Sequence, residues 1–456
     1  MEQKLTKKYG LFTAIAMVVG IVIGSGVFFK AQTILTATGG DLVPGILAWV
    51  FGGIIMVFCA LAFSFMATKY EKVSGIVDYA EETIGKRYAY FVGWFVATIY
   101  MPSITGVLAW LSARYTIEFL NSAVGTNINS MVGLWCILLT LVYLIATYFL
   151  NVLSPKLAGK FQVSVTVIKL IPLILMGVVG IIVGLSNGTL VENFAVESIK
   201  SESRLMLFFG ALTATAFAYD GWIIATSINA EIKNAKRNLP LALTIGSLIV
   251  VAICVLYNIG VAGGATVGDL ANEKIGTGKA FTNIFGGRFG TILKLFVALS
   301  CLGTLNGLML ASTRTMYALA ARGTGPCPKV FSRIDEKTNM PIASSVSGLL
   351  FATFWFLHFY ASQLIGLLGP FGFDSSELPI ITLYAFYIPI YISFMKQSKE
   401  FGIVKRFVIP ILAVAGSIFM VYAAASSHSG VVYYLLTFAI FMLVGWLVDR
   451  KNKKAA

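Results

Sequence analysis

The amino-acid sequence predicts an all-α integral membrane protein with twelve transmembrane helices, on three observations. Of its 456 residues, 58% are hydrophobic and 12% are charged, whereas a soluble protein has about half and about a quarter. Apolar stretches of about 20 residues, enough to cross a hydrocarbon core about 30 Å thick, recur between clusters of charge along the chain. Two of these stretches contain helix-breaking residues. The composition alone excludes a soluble globular enzyme.

Twelve apolar segments are long enough to span a membrane, and we call them spans 1 to 12. They lie at 11–36, 43–67, 88–115, 130–150, 160–185, 205–228, 240–262, 288–318, 341–360, 376–395, 403–425 and 430–449. The first segment is longer than the apolar core of a cleavable signal peptide, which has about 7 to 15 residues. We therefore expect the N-terminus to be retained.

The distribution of basic side chains predicts the orientation of the chain. The net charge is +14, but Lys and Arg lie between spans and not in one patch interleaved with aromatic residues, so we expect no nucleic-acid partner. Most of the 34 Lys and Arg residues fall in loops on the same side as the two termini. Such loops remain in the cytoplasm. We expect a multi-pass protein of the cell membrane whose termini, residues 1–10 and 450–456, are both cytoplasmic.

Span 1 is interrupted near its middle by Gly24, Ser25 and Gly26. Two glycines around a serine destabilise a helix by roughly 2 kcal/mol on propensity alone. Backbone that leaves the helix inside a membrane must face protein or a water-filled cavity, so such a break marks a site. The alternative is that Gly20 and Gly24 form a small-residue face for helix packing. The motif alone leaves both interpretations open.

Span 6 carries the second candidate break, in the segment 217–222 with the sequence FAYDGW. Asp220 is the only carboxylate that we place well within a span. A lone acid there costs about 2.5 to 3.5 kcal/mol on insertion scales and indicates a functional site, with a structural ion pair as the alternative.

The two breaks occupy matching positions, because span 1 opens the first five spans and span 6 opens the next five. Interrupted helices at corresponding positions of two such units indicate a transporter with inverted repeats and a substrate site between them at the midplane. We therefore expect one repeat at 11–185 and a second at 205–395, with two further helices at 403–449.

Four segments in this order resemble the amino acid, polyamine and organocation superfamily, and within it most closely the L-type amino acid transporters and their bacterial relatives. They are the segments 20–28, 217–222, 231–240 and 303–307, with the sequences GIVIGSGVF, FAYDGW, EIKNAKRNLP and GTLNG. The resemblance covers nearly the whole chain. It implies a LeuT-like fold with a five-plus-five inverted repeat and two additional C-terminal helices.

The resemblance also implies which residues bind an L-amino acid substrate. Free amides at a half-helix N-terminus suit a carboxylate, and unwound carbonyls suit an ammonium group. Backbone amides of span 1 would bind the carboxylate, and carbonyls of span 6 the ammonium; we assign these roles to Ile23, Gly24, Ser25 and Gly26, and to Phe217, Ala218 and Tyr219. Tyr100 in span 3 and Thr304 in span 8 are candidates for side-chain selectivity. We expect Asp220 to lie beside the substrate, where it could bias the pocket, contact the ammonium or assist proton coupling.

Lys169 places a cation deep inside span 5, too far from either end to snorkel. In family members that use no sodium, a lysine at this point occupies the place of a coupling sodium ion and ties span 5 to spans 1 and 8. Ser300 lies one helical turn before Thr304 and is the candidate partner in span 8. The alternative is a static ion pair between Lys169 and Asp220.

Other features of the sequence bear on metal ions, cofactors and a partner chain, none of which we expect. His358 and His428 have no companion ligands in the sequence, so we expect no metal site, and no cofactor motif is present. Animal L-type transporters are disulfide-linked to a single-span heavy chain through a cysteine between spans 3 and 4. The loop from Thr116 to Asn129 contains no cysteine, so we expect no such partner.

These patterns predict a sodium-independent secondary transporter, an antiporter that exchanges small or medium neutral L-amino acids by alternating access. The main alternative is a proton-coupled importer that also accepts cationic amino acids. A polytopic membrane enzyme would need a nucleophile with a base, or a metal cluster, and the sequence contains no HExxH motif.

Overall fold

The computed structural model describes residues 10–24, 26–70, 75–198, 203–224, 232–271, 276–428 and 430–455. These residues form nineteen α-helices in chain order. They are α1 Leu11–Val22, α2 Gly26–Ala37, α3 Leu42–Lys69, α4 Ile76–Thr83, α5 Lys86–Phe95, α6 Met101–Val124, α7 Leu134–Leu153, α8 Pro155–Ser186, α9 Thr189–Phe194, α10 Arg204–Ala218, α11 Ala235–Gly264, α12 Val267–Leu270, α13 Gly276–Phe285, α14 Gly287–Ala320, α15 Pro328–Phe331, α16 Ile342–Phe359, α17 Leu378–Gln397, α18 Ile409–Ser427 and α19 Val431–Ala455.

The predicted twelve spans are confirmed. Within the described ranges, eleven helical segments are long and apolar enough to cross a membrane, and the bent pair α1 and α2 supplies a twelfth. Two π-helical segments continue crossings without interrupting them: Val96–Tyr100 joins α5 to α6, and Val404–Val408 leads into α18. A third, Tyr360–Leu364, ends the crossing that α16 begins.

Some helices extend further than the apolar pattern of their spans. The apolar pattern ends span 12 at residue 449, and the helix α19 continues to Ala455. Lys, Asn and Ala are compatible with a helix, so a helix need not stop where its apolar residues do. Hydropathy therefore marks where a chain crosses the membrane better than where its helix ends.

The core of the bundle lies around the crossing formed by α5 and α6, whose most apolar stretch is almost entirely buried. The opposite extreme is α19, of whose most apolar stretch only 11% is buried. Large apolar side chains are exposed along α7, α8 and α19, as on Trp135, Ile182 and Leu443. An unpartnered apolar helix face of this kind suits contact with lipid chains.

Five short helices lie outside the crossings. Between spans 2 and 3, the apolar residues of the segment 74–82 have the spacing of a short amphipathic helix, and α4 is present there at Ile76–Thr83. No comparable pattern indicated α9, α12, α13 or α15.

Candidate functional site

The first break divides span 1 into halves of equal length, because α1 and α2 each contain 12 residues. Their axes differ by 45°. The α1 helix closes with a bond from the Ile23 amide to the Val19 carbonyl, 2.9 Å long, and Ile23 then adopts an extended conformation with ψ 95°. Gly24 follows outside any helix. The predicted interruption is therefore present, while Ser25 lies outside the described residues.

The backbone amides at this break differ in their availability. The Ile23 amide is committed to α1, whereas we find no hydrogen bond to the Gly24 amide among the described residues. Gly26 is the first residue of α2, and the first amides of a helix have no intrahelical acceptor and carry the positive end of the helix dipole. Gly24 and Gly26 therefore mark the part of span 1 best suited to a carboxylate.

The second break ends α10 at Ala218. A final helical bond joins the Tyr219 amide to the Thr215 carbonyl over 3.0 Å. Gly221 then takes φ 99°, a conformation that glycine adopts without a steric penalty, and the chain makes a short 3-10 turn at 222–224. The carbonyls at the end of α10 lie at the negative end of its dipole and suit a cation.

The two breaks lie against each other. A Cβ atom added to Gly26 would come within 2.6 Å of the Ala218 Cα and 3.2 Å of the Phe217 carbonyl oxygen. A Cβ added to Gly221 would come within 3.1 Å of the Ile21 side chain. Glycine at these positions permits backbone-to-backbone approach, so the amides of one break and the carbonyls of the other border one region.

Thr304 in α14 borders the same region. A Cβ atom added to Gly24 would lie 2.7 Å from the Thr304 hydroxyl oxygen, which places this predicted selectivity residue beside the span 1 break. The Thr304 hydroxyl donates to the Ser300 carbonyl over 3.1 Å. The Ser300 hydroxyl oxygen is buried and has no hydrogen-bond partner among the described residues.

Tyr100 and Asp220 form a direct contact between span 3 and the span 6 break. The Tyr100 hydroxyl lies 2.7 and 2.9 Å from the two carboxylate oxygens of Asp220, so it donates to that carboxylate. Tyr100 is buried and ends the π-helical segment Val96–Tyr100. Such π-bulges often accompany functional sites.

The side chain of Tyr219 points away from the break. Its hydroxyl donates to the Trp49 carbonyl in α3 over 2.8 Å, and the two rings make an edge contact with centroids 5.5 Å apart. Only the backbone of Tyr219 is thus placed for the role that the resemblance implies.

Lys169 lies behind the span 1 break. Its side chain is 1% exposed, and the ammonium donates to the Gly20 carbonyl over 2.5 Å. Gly20 permits this approach of α8, since a Cβ there would lie 2.5 Å from Thr166. Neither a bond to Ser300 nor an ion pair with Asp220 is found for Lys169 in the part of the chain that the structure describes.

Sequence reasoning missed a second buried set of charges, formed by Lys30, Glu377 and His428. Lys30 in α2 pairs with Glu377, and a ring nitrogen of His428 lies 3.0 Å from the same carboxylate. Lys30 and Glu377 are separated by 347 residues, so no local pattern joins them. The available signal was a basic residue inside span 1 and an acidic residue within the start of span 10.

Within the described residues, no group of three or more His, Cys, Asp and Glu side chains is placed to hold a metal ion.

A family model described as amino acid permease matches residues 9–448. The chain belongs to the amino acid permease family. Family members and relatives are transporters, so this permease is a membrane transporter and not an enzyme. The resemblance to L-type amino acid transporters within the wider superfamily is confirmed.

Curated relatives agree with this assignment. The permease is 29% identical to the serine/threonine exchanger SteT of Bacillus subtilis (strain 168), over 92% of this chain and 91% of the relative. It is 27% identical to the human b(0,+)-type amino acid transporter 1, over 97% of this chain and 87% of the relative.

The solved structure of MhsT in complex with L-phenylalanine shares the fold. It aligns with a TM-score of 0.62 over 93% of this chain and 100% of that one, at 14% identity. The predicted LeuT-like fold class is thereby confirmed. The roles of individual site residues and the repeat limits at 11–185 and 205–395 remain predictions.

Proposed function

We propose that this permease is a sodium-independent secondary transporter that exchanges small or medium neutral L-amino acids by alternating access. The observation that carries the proposal is the fixed ammonium of Lys169 on the Gly20 carbonyl, directly behind the broken part of span 1.

The substrate binds between the two breaks. Its carboxylate is bound by the amides of Gly24 and Gly26, and its ammonium by carbonyls at the end of α10, including those of Phe217 and Ala218. The support is the approach of Gly26 to this part of span 6, together with the opposite dipole ends that the two half-helices present. A zwitterion supplies both charges that this arrangement requires.

Lys169 supplies the positive charge that a coupling sodium ion would supply elsewhere in the superfamily. This ammonium is part of the protein's own side chain, is buried and donates to a span 1 carbonyl. With a cation fixed in this place, the transporter does not require one from solution. It also links α8 to α1, so a displacement of α1 during transport changes the environment of Lys169.

The pocket favours small or medium neutral side chains. Thr304 approaches Gly24 closely on one side, and the Asp220 carboxylate is occupied by the Tyr100 hydroxyl on another. The similarity to a serine/threonine exchanger supports both exchange and a small substrate.

Counterflow in proteoliposomes tests the proposal. Vesicles with the purified permease, loaded with unlabelled serine, alanine, leucine or arginine, or with no amino acid, are given external radiolabelled substrate. We expect uptake only with internal amino acid, undiminished when choline replaces sodium, and greater for serine and alanine than for arginine. Uptake that requires sodium would contradict the role of Lys169.

The second candidate is a proton-coupled importer. The observation that favours it is an acid, Asp220, inside the span 6 break and bonded to a tyrosine, since a carboxyl group there could carry a proton through the transport cycle. Uptake into empty vesicles, driven by a pH gradient and lost in Asp220→Asn, would support this candidate over exchange.

We also propose that both termini face the cytoplasm and that no disulfide-linked heavy chain is required. The basic loops support the first point. The cysteine-free loop between α6 and α7 supports the second. Transport by the single purified chain would bear out the second.

A further inference from the structure

A buried network of three charged or titratable side chains joins three separate crossings. Lys30 in α2 and Glu377, which directly precedes α17, are 2% and 3% exposed. The Lys30 ammonium contacts one oxygen of the Glu377 carboxylate and lies 3.3 Å from the Ser376 hydroxyl. His428, directly after α18, contacts the other carboxylate oxygen.

This network lies next to the candidate substrate site. Lys30 is about one helical turn beyond Gly26 on α2, so it lies on the side of the break away from the N-terminus. Its ammonium is 5.1 Å from the centre of the Phe217 ring, and Phe217 belongs to the second break. The network therefore connects the two breaks to α17 and α18 on the face opposite the termini.

Separating α2 from α17 would be costly while these charges remain buried. Removing one partner of a buried ion pair is strongly destabilising, because the other charge is left uncompensated. The carboxylate of Glu377 has two oxygens, and each has its own partner. A protonated His428 therefore adds a second positive charge to the same acid and holds the three elements together more firmly.

We propose that Lys30, Glu377 and His428 form a proton-sensitive latch that closes the substrate path on the face opposite the termini. The inference rests on the transport function proposed above. The three are positioning residues: they control access to the site without contacting the bound substrate.

The charges around His428 give the direction of the pH effect. Glu377 and Asp374 face it from the segment before α17, and Lys30 faces it from α2. Burial lowers the pKa of His428 and Lys30 opposes its protonation, but the hydrogen bond and charge of Glu377, with the charge of Asp374, raise that pKa overall. Opening removes the Glu377 contact, so protonation favours the closed latch and acidity slows opening.

A cysteine beneath the latch tests this inference without requiring transport. Val27 is buried one turn before Lys30 on α2, so Val27→Cys can be labelled by a membrane-impermeant thiol reagent only when the path opens. Cys327 is exposed and is replaced by serine, whereas the other four cysteines are buried. Because the thiolate is the form that reacts, each labelling rate is divided by the rate of a free cysteine derivative at the same pH. We expect this normalised labelling rate to become roughly three- to tenfold faster as external pH rises between about 5 and 8.

Substitution of His428 provides the decisive comparison. His428→Gln should keep the normalised labelling rate nearly constant across this pH range, while His358→Gln, a change of the other histidine, should leave its pH profile intact. A pH profile in His428→Gln that matches the parent would overturn the latch. Counterflow rates measured in parallel at fixed internal pH should show the same pattern.

The two charges of the ion pair are tested together. Glu377→Gln alone removes the carboxylate that pairs with Lys30 and should reduce yield and transport. Lys30→Met combined with Glu377→Gln removes both charges. This double variant should regain the yield, and its Val27→Cys form should be labelled more than about fivefold faster than Val27→Cys alone. The control Lys279→Met breaks the more exposed Lys279–Asp269 pair and should change neither the yield nor the labelling rate. Slow labelling in the double variant would contradict the latch.

Failure of the latch and failure of the proposed function are distinguishable. If labelling depends on pH and His428 but the parent chain exchanges no amino acid, the latch is retained and the proposed function is wrong. If exchange occurs but labelling is independent of pH and of all three residues, only the latch is overturned.

Discussion

Lys169 is the residue on which sodium independence depends. Lys169→Met keeps much of the apolar length but removes the ammonium that bonds to the Gly20 carbonyl. A hydrogen bond to a charged group contributes about 1.5 to 3 kcal/mol, so we expect exchange to fall roughly tenfold or more at normal expression. Radiolabelled counterflow measures the effect. Lys294→Met, a change of a less buried lysine on α14, is the control, and equal activity in both variants would refute this role.

Gly26 holds the two breaks at contact distance. In Gly26→Ala the new methyl group would lie 2.6 Å from the Ala218 Cα, and backbone cannot move aside as a flexible side chain can. We expect substrate binding to weaken by at least about tenfold, since overpacking typically costs about 1 to 3 kcal/mol. Binding is measured by isothermal titration or scintillation proximity. Gly268→Ala, where nothing lies within 4 Å of the new methyl group, should bind normally.

The Tyr100 hydroxyl and the Asp220 carboxylate should act as one unit. Tyr100→Phe removes the donor from the carboxylate, and Asp220→Asn removes the charge that the hydroxyl supports. We expect each to change substrate preference in the same direction, with a coupling free energy of about 0.5 to 3 kcal/mol in the double variant. A panel of competing amino acids measures this. Strictly additive effects would show that the contact has no part in selectivity.

Some of the site could be predicted from sequence because its residues break a local rule. Gly24 and Gly26 weaken a helix in the middle of an apolar span, and Asp220 is an acid where lipid surrounds the bundle. Lys30 and Glu377 break no comparably clear rule: each lies towards one end of its span, where charged side chains commonly reach the interface. Only the fold brings them together, so sequence reasoning could not pair them.

At the scale of helices, α4 contacts the ends of two crossings, those formed by α14 and α17. Arg322, after α14, contacts Asp78 and lies 3.1 Å from Glu81, both on α4. The other end of α4 meets α17, where Gln397 donates to the Thr83 carbonyl over 2.6 Å. The amphipathic pattern predicted this helix, but not its partners.

Removing the contact between Arg322 and α4 should destabilise the bundle. Arg322→Gln leaves the buried Asp78 without its cationic partner, and we expect the stability of the folded bundle to fall by roughly 1 to 3 kcal/mol. The apparent melting temperature in detergent, followed by fluorescence, measures the loss. Arg314→Gln changes an exposed arginine on α14 and should melt like the parent. Melting temperatures that do not differ would show that α4 is held by other contacts.

At the scale of the whole molecule, the arrangement of the crossings and of the candidate site follows from where the chain can leave a helix inside a membrane. The length of the apolar stretches predicts the number of crossings, and each crossing must satisfy its own backbone hydrogen bonds. In the described ranges, the helix breaks at one position in the first crossing and at one in the sixth. Gly26 brings the two together, so the amides of one break and the carbonyls of the other border the same region.

The most direct test is an experimental structure of the permease with a bound neutral amino acid. We expect the substrate carboxylate within hydrogen-bond distance of the amides of Gly24 and Gly26, its ammonium at the carbonyls that end α10, and the Lys169 ammonium at the Gly20 carbonyl with no sodium ion nearby. An amino acid bound elsewhere, with the first and sixth crossings continuous from one face to the other, would contradict the account.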